Sequence, residues 1–116
     1  MENNQKAPVR VLYVDDSKPD FVMFEAILKR ATSATTYIVE WAENYDTALE
    51  LLKKNFHDVC FVDYHLDGDN TGLKLARAAV SGGTRVPIIF LTGNEDECVQ
   101  GDLMVSGTRS YLLKDN

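Results

Sequence analysis

The chain is 116 residues long, 45% hydrophobic, and carries a formal net charge of -6. That length predicts one domain with one core, and the acidic balance argues against direct binding to a nucleic-acid backbone and for a cation or a basic protein surface. No apolar run approaches the roughly 18 residues of a membrane span, the amino terminus lacks an apolar signal core, and Cys60 and Cys98 form no CxxC pair, a usage that suits a reducing cytoplasm.

Residues 1–8 are polar and read as a flexible tail. The first strand is predicted over Val9–Val14, running into Asp15-Asp16. A helix follows over about Pro19–Ala31. Pro19 suits its first turn, where a missing N–H costs nothing, and Phe21, Phe24, Leu28 and Ala31 recur at helical spacing. A second strand spans Tyr37–Trp41. Asn44 then caps a helix that buries Ala48, Leu51 and Leu52. The third strand, Val59–Val62, contains Cys60 as a small buried hydrophobe and ends on Asp63. His57, just before it, reads as a surface residue. A third helix starts near Thr71 and shows Leu73, Ala76 and Val80 to the core. The fourth strand, Val86–Leu91, runs into Thr92-Gly93. A fourth helix is expected from about Glu95 to Val105, weakened by the interior Gly101 and ended by Gly107. A fifth strand, Ser110–Leu113, runs into Lys114. The sequence stops two residues later, so no final helix follows, and it reads as a piece of a longer protein whose domain occupies residues 9–116.

Strands alternating with helices predict a parallel α/β sheet covered on both faces. Right-handed crossovers put every strand's carboxyl end on one edge, where ligands of open α/β sheets bind. Asp15, Asp16, Asp63, Thr92 and Lys114 then share one crevice. Oxygen ligands of this kind suit magnesium, which takes one or two carboxylates together with waters and phosphate oxygens. Without a cation the three carboxylates repel one another. A carboxylate can also act as a nucleophile on phosphorus, helped by positive charge from a metal and a lysine. Taken singly, each residue has a plainer reading: a helix cap for Asp15-Asp16, a turn former for Asp63, an ordinary turn for Thr92-Gly93, a solvated lysine for Lys114. Their co-occurrence on successive strand tips is what points to a site. Neither GxGxxG nor GxxxxGK[ST] is present.

In this order these residues resemble the response-regulator receiver (CheY-like) domain of two-component signalling, over about Val9 to Lys114. The resemblance implies a flavodoxin-like, doubly wound five-stranded parallel sheet of order 2-1-3-4-5. It implies that Asp63 is the phosphoacceptor, that Asp15 and Asp16 bind Mg2+ together with Asp63 and the His65 backbone carbonyl, and that Thr92 and Lys114 hold the phosphoryl group. Tyr111 stands where the family carries its switch aromatic, and Thr92 moves with it. His65 and Asn94 stand where the lifetime of the phosphorylated state is tuned. The implied module is cytoplasmic. It takes its phosphoryl group from a histidine kinase or histidine phosphotransfer protein, catalyses its own phosphorylation and dephosphorylation, and switches a downstream output domain or partner protein.

The loop from Tyr64 to Gly72 is slightly longer than the family pattern, with Asp67 where proline is common, and Lys114 is followed by Asp115 where proline is frequent. Two other functions compete. One is a degenerate receiver that binds partners without phosphorylation; the intact five-residue set argues against it. The other is a haloacid-dehalogenase-like phosphatase, which wants a DxD motif after its first strand, a spacing that Asp15-Asp16-Ser17 lacks.

Overall fold

A computed structural model describes residues 7–31, 35–64, 71–92 and 111–113. The elements are β1 (Val9–Val14), α1 (Lys18–Ala31), β2 (Tyr37–Ala42), α2 (Tyr45–Lys53), β3 (Val59–Asp63), α3 (Gly72–Ser81), β4 (Ile88–Thr92) and β5 (Tyr111–Leu113). All neighbouring strands pair in parallel, and the five-stranded sheet has the order β2-β1-β3-β4-β5. This is the doubly wound, flavodoxin-like order expected from the sequence. The predicted fourth helix, with Gly101 and Gly107, lies outside the described residues.

Side chains alternate across the pleat, so each strand feeds two different layers. Leu12 and Val14 of β1, Ala42 of β2, Cys60 and Val62 of β3 and Phe90 of β4 turn one way. There they pack with Ala48 and Leu52 of α2 and Leu75 and Ala79 of α3. The opposite face is aromatic and belongs to α1. Tyr13 stacks on Phe24 with ring centroids 4.5 Å apart, Phe21 stacks on Trp41 at 5.1 Å, and Phe24 meets Phe61 at 5.0 Å. One helix is thereby keyed to three strands. Burial pushes the Cys60 thiol far above its ordinary value, which keeps it a neutral apolar filler.

The helices start where the chain supplies an oxygen. Asn44 Oδ1 accepts from the Thr47 N–H at 2.9 Å and Thr71 Oγ1 from the Lys74 N–H at 3.1 Å. Ser17 Oγ accepts from the Asp20 N–H at 3.3 Å, so a serine caps α1 and the two aspartates before it do not. Two sequence expectations need correction. Val80 is 64% exposed; the buried stripe of α3 is Gly72, Leu75 and Ala79, turned by about one residue, roughly 100°, from the predicted one. His57 is only 7% exposed, because its Nε2 lies 2.8 Å from Glu40 Oε1 on β2, a long-range partner that carries the ring inward.

The amino-terminal edge of the sheet is tied by Asn55, whose φ of 52° lies in the left-handed region that asparagine tolerates. Asn55 Oδ1 accepts the Arg85 N–H at 2.6 Å, its Nδ2 donates to Gly83 O at 3.3 Å, and the Thr84 hydroxyl donates to Leu52 O at 2.6 Å. The turn after α2 and the turn after α3 are thus one hydrogen-bonded unit.

At the other edge α3 begins hard against β3. The Gly72 N–H donates to Tyr64 O, and a Cβ on Gly72 would stand 2.7 Å from Asp63 O and 3.1 Å from Tyr64 Cα. Both are backbone atoms of the strand end, so the strain has nowhere soft to go. Gly72→Ala is expected to lower the unfolding free energy by about 1–3 kcal/mol, read from urea denaturation. A variant as stable as the parent would show that the end of β3 has room to move.

Candidate functional site

The β1–β3 register sets Val14 beside Val62. Asp15 and Asp63 are the next residues, and the alternation that turns Tyr13 and Phe61 toward α1 reaches them both. Asp16 follows in the β1–α1 turn. The three carboxylates offer oxygens that all lie within 4.8 Å of one another. Asp15 is 0% exposed, Asp63 is half-buried and Asp16 is exposed. The set therefore grades from protein interior to solvent.

A buried carboxylate needs donors, and Asp15 has them. The Tyr13 hydroxyl donates to its Oδ2 at 2.9 Å and the Ser17 N–H to its Oδ1 at 3.1 Å. Its main chain is held as firmly. The Asp15 N–H donates to Ala42 O at 3.2 Å, and the indole Nε1–H of Trp41 donates to Asp15 O at 2.7 Å. Burial first, then the adjacent Asp15 carboxylate and the hydrogen bond to it, push the Tyr13 hydroxyl far above its ordinary value. Tyr13 therefore stays protonated and serves Asp15 as a donor.

The donor set is all oxygen, which fits a hard divalent cation. Opposite ligands of an octahedral magnesium stand about 4.2 Å apart, twice a bond of about 2.1 Å. A set spanning no more than 4.8 Å closes onto such an ion by side-chain rotation. The first turn of α1 adds the positive end of a helix dipole beside the acidic pair.

Of the residues singled out in the sequence, Asp15, Asp16 and Asp63 come together. Thr92 is the last residue of β4, one step beyond Leu91, which pairs with Asp63; its own partner across the sheet is Leu113. Tyr111 lies on β5 beside Phe90. The side chains of Thr92 and Tyr111, and all of His65, Asn94 and Lys114, lie outside the described residues. Tyr13, Ser17, Trp41 and Gly72 were not foreseen as parts of the site. For Tyr13 a signal existed, since a residue two before Asp15 on a strand shares its face. Nothing local announces Trp41, which is 26 residues from its partner.

Comparison with known proteins agrees with this geometry. The family model of the response regulator receiver domain matches residues 11–116. The chain is 28% identical over 118 residues to the probable transcriptional regulatory protein NarL of Mycobacterium tuberculosis, covering 100% of this chain and 52% of that protein. It is 31% identical over 107 residues to the response regulator MprA of a Mycobacterium species, covering 92% of this chain and 44% of the relative. The chain thus spans about half the length of the curated relatives it matches. Among solved structures, the receiver domain of the sensor histidine kinase PA1611 from Pseudomonas aeruginosa, which holds a magnesium ion in its active-site cleft, superposes with a TM-score of 0.77 at 24% identity over 95% of this chain and 88% of that one. The chemotaxis protein CheY4 of Vibrio cholerae gives a TM-score of 0.74 at 28% identity over 95% and 89%.

Among the described residues no helix is long and apolar enough to cross a membrane. Sheet order, acidic edge and a family model that runs nearly end to end lead to one conclusion: the chain belongs to the response regulator receiver domain family of two-component systems.

Proposed function

We propose that this domain is a phosphorylation switch in which Asp63 accepts a phosphoryl group from a phosphohistidine of a kinase or phosphotransfer protein. The observation that carries the reading is the convergence of Asp15, Asp16 and Asp63 within 4.8 Å at the carboxyl ends of β1 and β3. Asp63 is the half-buried member of the three, with more access to solvent than Asp15 and a firmer seat than Asp16. It ends a strand and cannot retreat, which holds its oxygen for in-line attack on phosphorus.

In the transfer an Asp63 oxygen forms the new bond to phosphorus. The bond from phosphorus to the donor nitrogen breaks, and its electron pair leaves with the imidazole, which takes up a proton. Asp15 and Asp16, with Asp63 and the His65 carbonyl, are the residues that would hold magnesium. The bound ion supplies positive charge against the carboxylates and the phosphoryl oxygens. Thr92 and Lys114 are assigned to those same oxygens as hydroxyl and ammonium donors. Thr92 and Tyr111, on the paired strands β4 and β5, are assigned to carrying the change outward to an output domain or partner protein. The domain catalyses its own phosphorylation and dephosphorylation and is otherwise no metabolic enzyme. It comprises residues 9–116, preceded by a tail at residues 1–8. We assign it to the cytoplasm, with protein partners and no direct contact with nucleic acid or membrane.

Incubation with acetyl phosphate and magnesium should add one labile phosphoryl group, read by intact mass, and Asp63→Asn should abolish it with the fold retained. Asn is isosteric and lacks the nucleophilic oxyanion; an undiminished adduct on the variant would move the acceptor elsewhere, and an unlabelled parent would favour a degenerate receiver. Magnesium at 100 times its dissociation constant should stabilise the folded chain by about 2.7 kcal/mol. Asp16→Ala should remove most of that gain in a melting experiment, and a parent whose Tm ignores millimolar magnesium would sink the metal reading. Exchanging the residues at His65 and Asn94 should change the dephosphorylation rate several-fold at unchanged metal affinity, followed by decay of the adduct. A constant rate across a panel of substitutions there would refute their role.

A further inference from the structure

One tie at the acidic edge comes from outside the β1–α1 turn that it holds. The pairing of β1 with β2 ends at Val14 beside Ala42, and the Asp15 N–H still reaches Ala42 O at 3.2 Å. The Asp15 carbonyl, just past the last pair, is taken by a side chain: the half-buried Trp41 donates its indole Nε1–H at 2.7 Å. The indole is itself braced, stacked on Phe21 of α1 with ring centroids 5.1 Å apart and planes 7° from parallel. A phenylalanine would stack there as well; the indole adds a donor.

That carbonyl belongs to the peptide unit joining Asp15 to Asp16. The unit is planar, so holding its oxygen also restrains its far end, the N and Cα of Asp16. The next unit, joining Asp16 to Ser17, is held by the Ser17 N–H on Asp15 Oδ1 at 3.1 Å, and Ser17 O accepts the Phe21 N–H as α1 begins. Asp16 therefore stands between two anchored peptide units, and its exposed carboxylate turns only about its own side-chain bonds. An ion that draws it in then orders side-chain torsions alone; on a loose backbone it would have to order φ and ψ as well. Asp15 depends less on the indole, because its side chain is held by the Tyr13 hydroxyl and its N–H by Ala42 O. Resting on the reading of Asp15, Asp16 and Asp63 as the magnesium site, we propose that Trp41 is a positioning residue that acts through Asp16: its N–H sets the backbone from which that carboxylate reaches the ion.

The test replaces the Trp41 indole by benzothiophene, which keeps the bicyclic ring and its stack on Phe21 and has sulfur in place of the N–H. Trp41→Phe, which also lacks the donor, is the second variant. Magnesium chloride is titrated calorimetrically into the whole chain, and amide hydrogen exchange is followed without added metal. Both variants should bind magnesium about tenfold more weakly than the parent, the scale of losing an outer hydrogen bond that orients a ligand. The Ser17 amide should exchange several-fold faster. The Thr47 amide, held by Asn44 Oδ1 at the start of α2, should keep the parent rate. Equal acceleration at Thr47 would mean general loosening, and a magnesium affinity untouched by benzothiophene would mean that the ring only packs; either overturns the proposal. So would a Ser17 rate unchanged in both variants, and the magnesium reading would then still stand. A parent that takes up no magnesium would overturn the magnesium reading itself, and this proposal with it.

Discussion

The register between β1 and β3 is the constraint on which the site depends. With Val14 beside Val62, the residues that follow, Asp15 and Asp63, leave the sheet side by side and toward the same face. A slip of one residue would turn one of them to the opposite layer, into the apolar packing of α2 and α3. That packing enforces the register. Leu12, Val14, Cys60 and Val62 are all buried in the same cluster, and each would be exchanged for a neighbour of the wrong face if the strands moved. The electrostatically costly convergence of carboxylates is thus held by apolar contacts that contain no charge.

The three carboxylates are unequal, and the inequality comes from their surroundings. Asp15 is enclosed and its donors are all internal, so its position is part of the fold. Asp63 belongs to the strand end, and Gly72 of α3 lies so near its backbone that no side chain would fit between them. Asp16 alone projects into water. The edge therefore offers one rigid, one braced and one adjustable carboxylate. Such a set combines a fixed geometry with the freedom to admit an incoming group.

Much of the fold was legible because each strand is a short apolar run ending on a polar residue, and parallel topology sends all those ends to one edge. The cap Asn44, the start of α3 near Thr71 and the buried Cys60 were legible for local reasons, since each follows from its immediate neighbours. What escaped was long-range. His57 looks like a surface residue until Glu40 is brought to it across the sheet. The stripe on α3 could not be phased to within one residue, because Leu73 and Ala76 are partly buried as well and the pattern has two near-equivalent readings. In the site, the carboxylates announced themselves by charge. Tyr13 was hidden because a tyrosine in a strand is ordinary, and Trp41 because its partner lies on another strand. Thr92 was expected just beyond its strand and is instead the last paired residue, so its backbone is fixed by the ladder to Leu113.

The knot around Asn55 gives the sheet two ends of different character. Around Asn55, at the amino-terminal edge, the chain is fastened by uncharged amides and a hydroxyl, and beside them the Asp58 carboxylate accepts the Arg10 N–H at 2.8 Å. At the opposite edge the fastenings converge on the Asp15 carboxylate and sit within the acidic cluster. The domain resembles a bench vice, with a closed jaw that takes no part in the work and an open one that meets the workpiece. Because the closed jaw lies at the far end of the strands from the three carboxylates, a change of charge at the open one does not act directly on the frame that holds it. Substitutions at one end can then change endurance, and those at the other responsiveness, with little trade between the two.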